Sequence, residues 1–164
     1  MINKIETYSE IRKRAKGNAT KFWLLFTVSV IFVAGAIFRI NKQNIIIDRF
    51  NNSVVFKTTE YSLHVSECGK RKDHALYGIT FTGTHATVGR TVAVDPDYIP
   101  LGSHIFIMQG IEIQGKRYFE FIAEDTGSGV KGKTIDIYVG DETQHYVAEQ
   151  YGIKYLSIYI QGDK

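Results

Sequence analysis

Between Phe22 and Phe38 the chain reads FWLLFTVSVIFVAGAIF, 17 residues without a charge, directly behind a flank of six bases. At about 1.5 Å rise per residue, a helix of that length reaches the lower limit for crossing a hydrocarbon core. Arg39 follows, and its aliphatic stem lets the guanidinium reach an interface while Ile40 prolongs the apolar run. The bases Lys4, Arg12, Lys13, Arg14, Lys16 and Lys21 are opposed only by Glu6 and Glu10, whereas Arg39, Lys42 and Arg49 follow the segment. Because cytoplasmic flanks are enriched in Lys and Arg, this asymmetry predicts an N-terminus inside and a C-terminus outside. A buried core helix is disfavoured, since the run has no polar face. A cleaved signal peptide competes, because Ala34-Gly35-Ala36 fits the small-x-small cleavage pattern after an apolar stretch. The expectation is a membrane anchor over 22–40, with secretion after cleavage near Ala36 as the alternative. In both cases the rest of the chain is exported.

The formal net charge of +3 divides along the same boundary. The flank 1–21 contributes +4, so the remaining 143 residues sum to −1, with 14 bases against 15 acids. A nucleic-acid-binding surface spread over the domain is therefore not expected. With 44% hydrophobic residues, 2 prolines and one cysteine, Cys68, the composition excludes a disordered chain and an internal disulfide framework. The histidines His64, His74, His85, His104 and His145 show no HExxH spacing, so neither a metal nor a cofactor is expected.

Residues 41–60 mix Ile45-Ile46-Ile47 and Val54-Val55-Phe56 with Asn and charges, which suggests a juxtamembrane stalk of limited structure. From 61 to 164, short segments rich in Val, Ile, Tyr and Phe alternate with turn signals, the pattern of an all-β unit. Strands are predicted over Tyr61–Ser66, Ile79–Thr82, Thr91–Val94, His104–Met108, Tyr118–Ala123, Thr134–Val139 and Tyr155–Ile160. One short helix is predicted, with Asp141 as N-cap, Val147 and Tyr151 on its apolar side and Gly152 as terminator. Strands this short and numerous close most readily into a small barrel.

Three segments place an aspartate at a strand end or beside a tight turn. Asp95 ends the apolar run of Thr91-Val-Ala-Val and precedes Pro96, with Ile99-Pro100-Leu101-Gly102-Ser103 beyond, so the two prolines stiffen this corner. Asp125 lies where Phe121-Ile-Ala-Glu124 runs into the glycine-rich Thr126-Gly127-Ser128-Gly129-Val-Lys131-Gly132, whose amides are able to face an anion or a sugar oxygen. Asp136 alternates with Ile135 and Ile137, so it points away from the core that they enter. Singly, an aspartate in such a place is more often a cap, a turn residue or a solvated carboxylate.

Taken together, VAVDPDYIPLGS, AEDTGSGVKG, IDIY and the upstream GITFTGT resemble the 3D domain, named for three aspartates. That domain occurs in cell-wall proteins of the stationary-phase survival type and in the catalytic part of membrane-bound lytic transglycosylase A. The resemblance runs from about Tyr61 to Ile160 and includes Glu67-Cys68-Gly69-Lys70. It implies a six-stranded double-psi β-barrel with little helix. It also implies non-hydrolytic cleavage of the β-1,4 bond between N-acetylmuramic acid and N-acetylglucosamine in peptidoglycan, leaving a 1,6-anhydro-muramyl end. By motif, Asp136 is the expected general acid/base, with Asp125 and Asp95 in supporting roles. Thr82, Thr84, Gly127, Lys131 and Gly132 are candidates for substrate contact. The implied partners are glycan strands and, through the apolar helix, the membrane.

An aspartate titrates near 3.9 in water, so an acid at neutral pH needs an environment that favours its protonated form. Ile135, Ile137 and Tyr138 are expected to desolvate Asp136, and Asp125 or Asp95 to repel its charge. Two rival readings remain. Asp125-Thr126-Gly127-Ser128 matches the D-T-G-S turn of aspartic proteases, but it occurs once and Glu124, not an apolar residue, precedes it. A membrane-tethered barrel of this kind would also serve as a glycan-binding module that does not cut.

Overall fold

The computed structural model describes residues 7–161. Lys4 and Glu6 of the basic flank lie outside the described residues. The chain forms two compact units, residues 1–47 and 48–164.

Helix α1 runs from Tyr8 to Asn51. Glu10 caps its first turn: its Oε2 accepts from the Thr7 hydroxyl and amide, at 3.1 and 3.0 Å. None of its residues is buried, and it is long and apolar enough to cross a membrane. Its 44 residues extend about 66 Å, twice a hydrocarbon core, so only the apolar middle matches a bilayer. The helix does not stop near Ile40. With neither Gly nor Pro between 41 and 51, extending a formed helix requires no new nucleation. The stalk of limited structure expected over 41–60 is therefore helical to Asn51 and then becomes the first barrel strand, because Phe56 and Thr58 alternate into the core.

The second unit is a closed barrel. Its strands are β1 (Val54–Ser62), β2 (Thr91–Val94), β3 (His104–Ile113), β4 (Lys116–Asp125), β5 (Thr134–Gly140) and β6 (Lys154–Gln161), arranged β1-β5-β2-β4-β3-β6 around the barrel. The pairs β1–β5 and β2–β4 are parallel and the other four are antiparallel. The first strand thus begins seven residues before the predicted Tyr61. Two helices are added, a single turn α2 (Val65–Cys68) and α3 (His145–Tyr151). Asp141 caps the 3-10 turn that leads into α3, as expected, by accepting from the Thr143 amide at 3.0 Å. On α3 it is Ala148, not Val147, that is buried.

The expected strand at Ile79–Thr82 is instead a loop with a single bridge from Ile79 to His85. The hydroxyls of Thr80, Thr82 and Thr84 bond one another, and Gly83 turns the chain at φ +86°, so local bonds replace a ladder.

Inside the barrel Phe56, Val92, Val94, Ile105, Phe121, Ile135, Ile137 and Ile158 are almost wholly excluded from solvent. Close packing makes each of them hard to shorten. Ile137→Ala is expected to lower stability by about 2–5 kcal/mol, read from the shift of the denaturant midpoint. A second apolar cluster, Tyr61, Ala93, Val130 and Tyr138, forms on the outer face of the wall.

Candidate active site

A row of register partners crosses four adjacent strands on that outer face. Thr59 of β1 stands opposite Asp136 of β5, Asp136 opposite Ala93 of β2, and Ala93 opposite Asp125 of β4. Two strand spacings, about 10 Å, thus separate the Cα atoms of Asp125 and Asp136. The residue between them is small. A bulge brings Asp125 onto this face: the β2–β4 register pairs Val92 with Ala123 but Ala93 with Asp125, leaving Glu124 as the extra residue. Without it Asp125 would follow Phe121 and Ala123 toward the interior.

Asp136 accepts from the Thr59 hydroxyl at 2.6 Å through Oδ1. Its pKa is raised to about 6, chiefly by burial. The Thr59 hydrogen bond opposes that shift, the charge of Glu67 adds to it, Lys57 opposes it and Asp125 adds to it. Ile135 and Ile137 do not supply the burial, because they face into the core. The outer cluster around Tyr61 and Tyr138 lies on Asp136's own side of the wall. Of the expected repulsions, that of Asp125 is present, and the larger one comes from Glu67 of α2. Glu67 in turn accepts from the Ser62 amide at 2.8 Å, from the Ser62 hydroxyl, and lies 3.2 Å from His145 Nδ1.

Asp125 is held from three directions. Its Oδ2 accepts from Tyr61 Oη at 3.0 Å, and its Oδ1 accepts from the amides of Phe81 at 3.0 Å and Thr126 at 2.9 Å. Beside it opens a pocket of about 400 Å³ whose walls include Glu67, Cys68, Lys70, Gly78, Gly127 and Ser128. Cys68 donates its thiol to the carbonyls of Leu63 and Lys70, at 3.2 and 3.3 Å.

Asp95 stands apart chemically. Its Oδ2 accepts from the Gly132 amide at 2.7 Å and its Oδ1 from the Asp97 amide at 3.3 Å. The first of these bonds is the main reason its pKa is lowered. Asp95 thereby ties the end of β2 to the loop leading into β5. Gly132 accordingly gives its amide to Asp95. Gly127 lines the pocket, and a Cβ there would meet Val130 Cγ2 at 2.9 Å. Lys131 helps to keep the Asp95 carboxylate charged. Thr82 and Thr84 belong to the hydroxyl cluster, and the Thr82 amide donates to the Glu124 carbonyl at 3.0 Å.

Thr59, Tyr61 and Glu67 escaped the reading of the sequence. The Glu67-Cys68-Gly69-Lys70 stretch drew attention only as part of a resemblance, and nothing local marks a threonine or a tyrosine as the donor to a carboxylate 77 or 64 residues away. Among the described residues no group of three or more His, Cys, Asp or Glu is placed to hold a metal ion.

Residues 90–162 match the family model of the 3D domain. Cell wall-binding protein YocH of Bacillus subtilis (strain 168) is 32% identical over 91 residues, covering 54% of this chain and 28% of YocH. YabE of the same organism is 28% identical over 116 residues, covering 70% of this chain and 25% of YabE. The chain thus spans about a quarter of the length of these curated relatives. Among solved structures, MltA of Escherichia coli, described as having a lytic transglycosylase fold, aligns with a TM-score of 0.44 at 20% identity, over 58% of this chain and 30% of MltA. Asp95, Asp125 and Asp136 all lie inside the segment that matches the 3D domain model.

Proposed function

We propose that the chain is a peptidoglycan lytic transglycosylase whose general acid/base is Asp136. The observation that carries this reading is the outer-face row in which Asp125 and Asp136 flank Ala93, with Asp136 half-screened from water and Asp125 held by three donors. Glycosidic cleavage needs a proton on the leaving oxygen while positive charge grows on the ring. Protonated Asp136 gives its proton to O4 of the N-acetylglucosamine, and the bond from C1 of the muramyl ring to that oxygen breaks. The muramyl C6 hydroxyl then bonds to C1 and returns its proton to the Asp136 carboxylate, so the acid is regenerated and no water is consumed. The Asp125 carboxyl sits on the same face, where a negative charge would stabilise the developing cation. The barrel is read as double-psi, supported by its two parallel pairs among antiparallel neighbours. Helix α1 would tether the domain outside the membrane with its basic end inside, release after cleavage near Ala36 being the alternative; the asymmetry of bases around 22–40 supports the first.

A second reading, glycan binding without cleavage, is favoured by the name of YocH, a cell wall-binding protein. Mass spectrometry of intact peptidoglycan treated with the full-length protein in detergent separates the two. Soluble fragments with 1,6-anhydro-muramyl ends are expected. Retention of the protein on the wall with no soluble fragment would support binding alone, and reducing ends would indicate hydrolysis.

A further inference from the structure

Phe81 is an exposed aromatic residue that the cleavage chemistry leaves without a task. It is 69% exposed, yet its backbone is held. Its amide donates to Asp125 Oδ1 at 3.0 Å, and the next amide, of Thr82, donates to the Glu124 carbonyl at 3.0 Å. The loop is closed on itself by the Thr80 amide to the Thr84 carbonyl at 2.8 Å, by the Gly83 amide to the Thr80 carbonyl at 3.0 Å and by the three threonine hydroxyls. A loop tied this way loses little freedom when a ligand settles on it.

Single exposed aromatics are ordinary on protein surfaces. Phe119, Tyr146 and Tyr155 are also more than half exposed. Phe81 differs in being bonded through its own amide to one of the two carboxyls of the site. Adding the N–Cα bond to the 3.0 Å hydrogen bond places its Cα, from which the side chain springs, at most about 4.5 Å from Asp125 Oδ1. A pyranose presents a face of C–H bonds that is apolar and slightly positive, and the face of a phenyl ring carries the negative part of its quadrupole. The hydroxyls of Thr82 and Thr84 beside it, which are not buried, add hydrogen-bonding capacity of the kind that sugar oxygens use.

We infer that Phe81 is a stacking platform for one sugar ring of the glycan, set beside the bond that is cut. The inference rests on the glycan reading of the site. Phe81 would hold the strand in register with Asp136 and would take no part in proton transfer. Both cleavage and binding without cleavage would use it.

The test measures binding of a soluble β-1,4-linked N-acetylglucosamine hexamer to the full-length protein in detergent, by calorimetry, in an Asp136→Asn background so that nothing is cut. Phe81→Ala is expected to weaken binding about tenfold, the equivalent of about 1.4 kcal/mol. Phe81→Tyr and Phe81→Trp should stay within about twofold of the parent, since both keep a flat aromatic face. Phe81→Leu should fall with Ala, because it keeps apolar bulk and loses that face. Thermal unfolding should be unchanged in all four, as the ring is exposed. Unaltered binding by Phe81→Ala, or full rescue by Phe81→Leu, would overturn the platform. If the parent binds and Phe81→Ala weakens it while the wild type releases no anhydro ends, the platform stands and cleavage fails. If anhydro ends form and Phe81→Ala binds normally, cleavage stands and the platform fails. A parent that does not bind the hexamer overturns the platform together with the glycan reading.

Discussion

Asp136→Asn is expected to cut the release of anhydro-muramyl fragments by about 10²- to 10⁴-fold, the usual worth of a positioned acid/base, and at the same time to make the protein more stable at pH 7. Both effects follow from one environment. Burial lifts the Asp136 pKa from 3.8 to about 6, so the folded state holds the proton more tightly than the unfolded chain does. The benefit of being protonated is fully present below pH 3.8 and is lost as pH rises through about 6. At pH 7 the folded protein therefore carries a poorly solvated carboxylate at a cost on the order of 2–3 kcal/mol, at 1.36 kcal/mol per pKa unit. Asn has the shape of the protonated acid and avoids that cost. A lower melting temperature for Asp136→Asn, or an undiminished yield of anhydro ends, would remove Asp136 from the role. In the wild type the same titration predicts that cleavage declines as pH rises above about 6. Glu60, pushed up to about 7 mainly by burial, titrates nearby, so the profile of Glu60→Gln should keep the Asp136 limb.

The opposite stability sign is expected at the other carboxyl. Asp125→Ala should destabilise the fold by about 1–3 kcal/mol, because it strands the buried Tyr61 hydroxyl without an acceptor and also releases the Phe81 amide. Cleavage should fall by about 10²-fold or more, through loss of a charge aimed at the developing cation. Tyr61→Phe is the control: it removes one donor and leaves the carboxyl, so it should recover most of the activity that Asp125→Ala loses. Melting curves and fragment yields on the same preparations read both variants against the wild type. If Asp125→Ala melted at the wild-type temperature, the hydrogen bonds drawn to Asp125 would not be energetically real.

How far the chain could be read before its structure was known depends on the range of each interaction. Thr91–Val94 was predicted with the observed bounds, and Thr134–Val139 to within one residue, since strands rich in β-branched residues and bounded by turn residues announce themselves locally. The error at β1 had a physical source. Val54 to Thr59 reads as a mixed segment until β5 and β6 lie on either side of it and Phe56 has a core to enter. The error at Ile79–Thr82 had the opposite source: its residues favour a strand, but local threonine and glycine geometry won because no neighbouring strand was available to pair with it.

The site divides the same way. Alternation within TIDIY sufficed to turn Asp136 away from Ile135 and Ile137, because a period of two is a property of the strand itself. The apolar run behind its bases likewise announces a membrane-compatible helix from composition and length alone. Which carboxyl would share a face with Asp136 was a matter of pairing. The bulge at Glu124 that turns Asp125 outward, the small Ala93 between the two acids, the Thr59 hydroxyl at 2.6 Å and the charge of Glu67 each depend on a partner on another strand or helix. A shift of one residue in register would exchange the faces and dissolve the site without altering a letter of the sequence, and it is the closed barrel that holds that register in place.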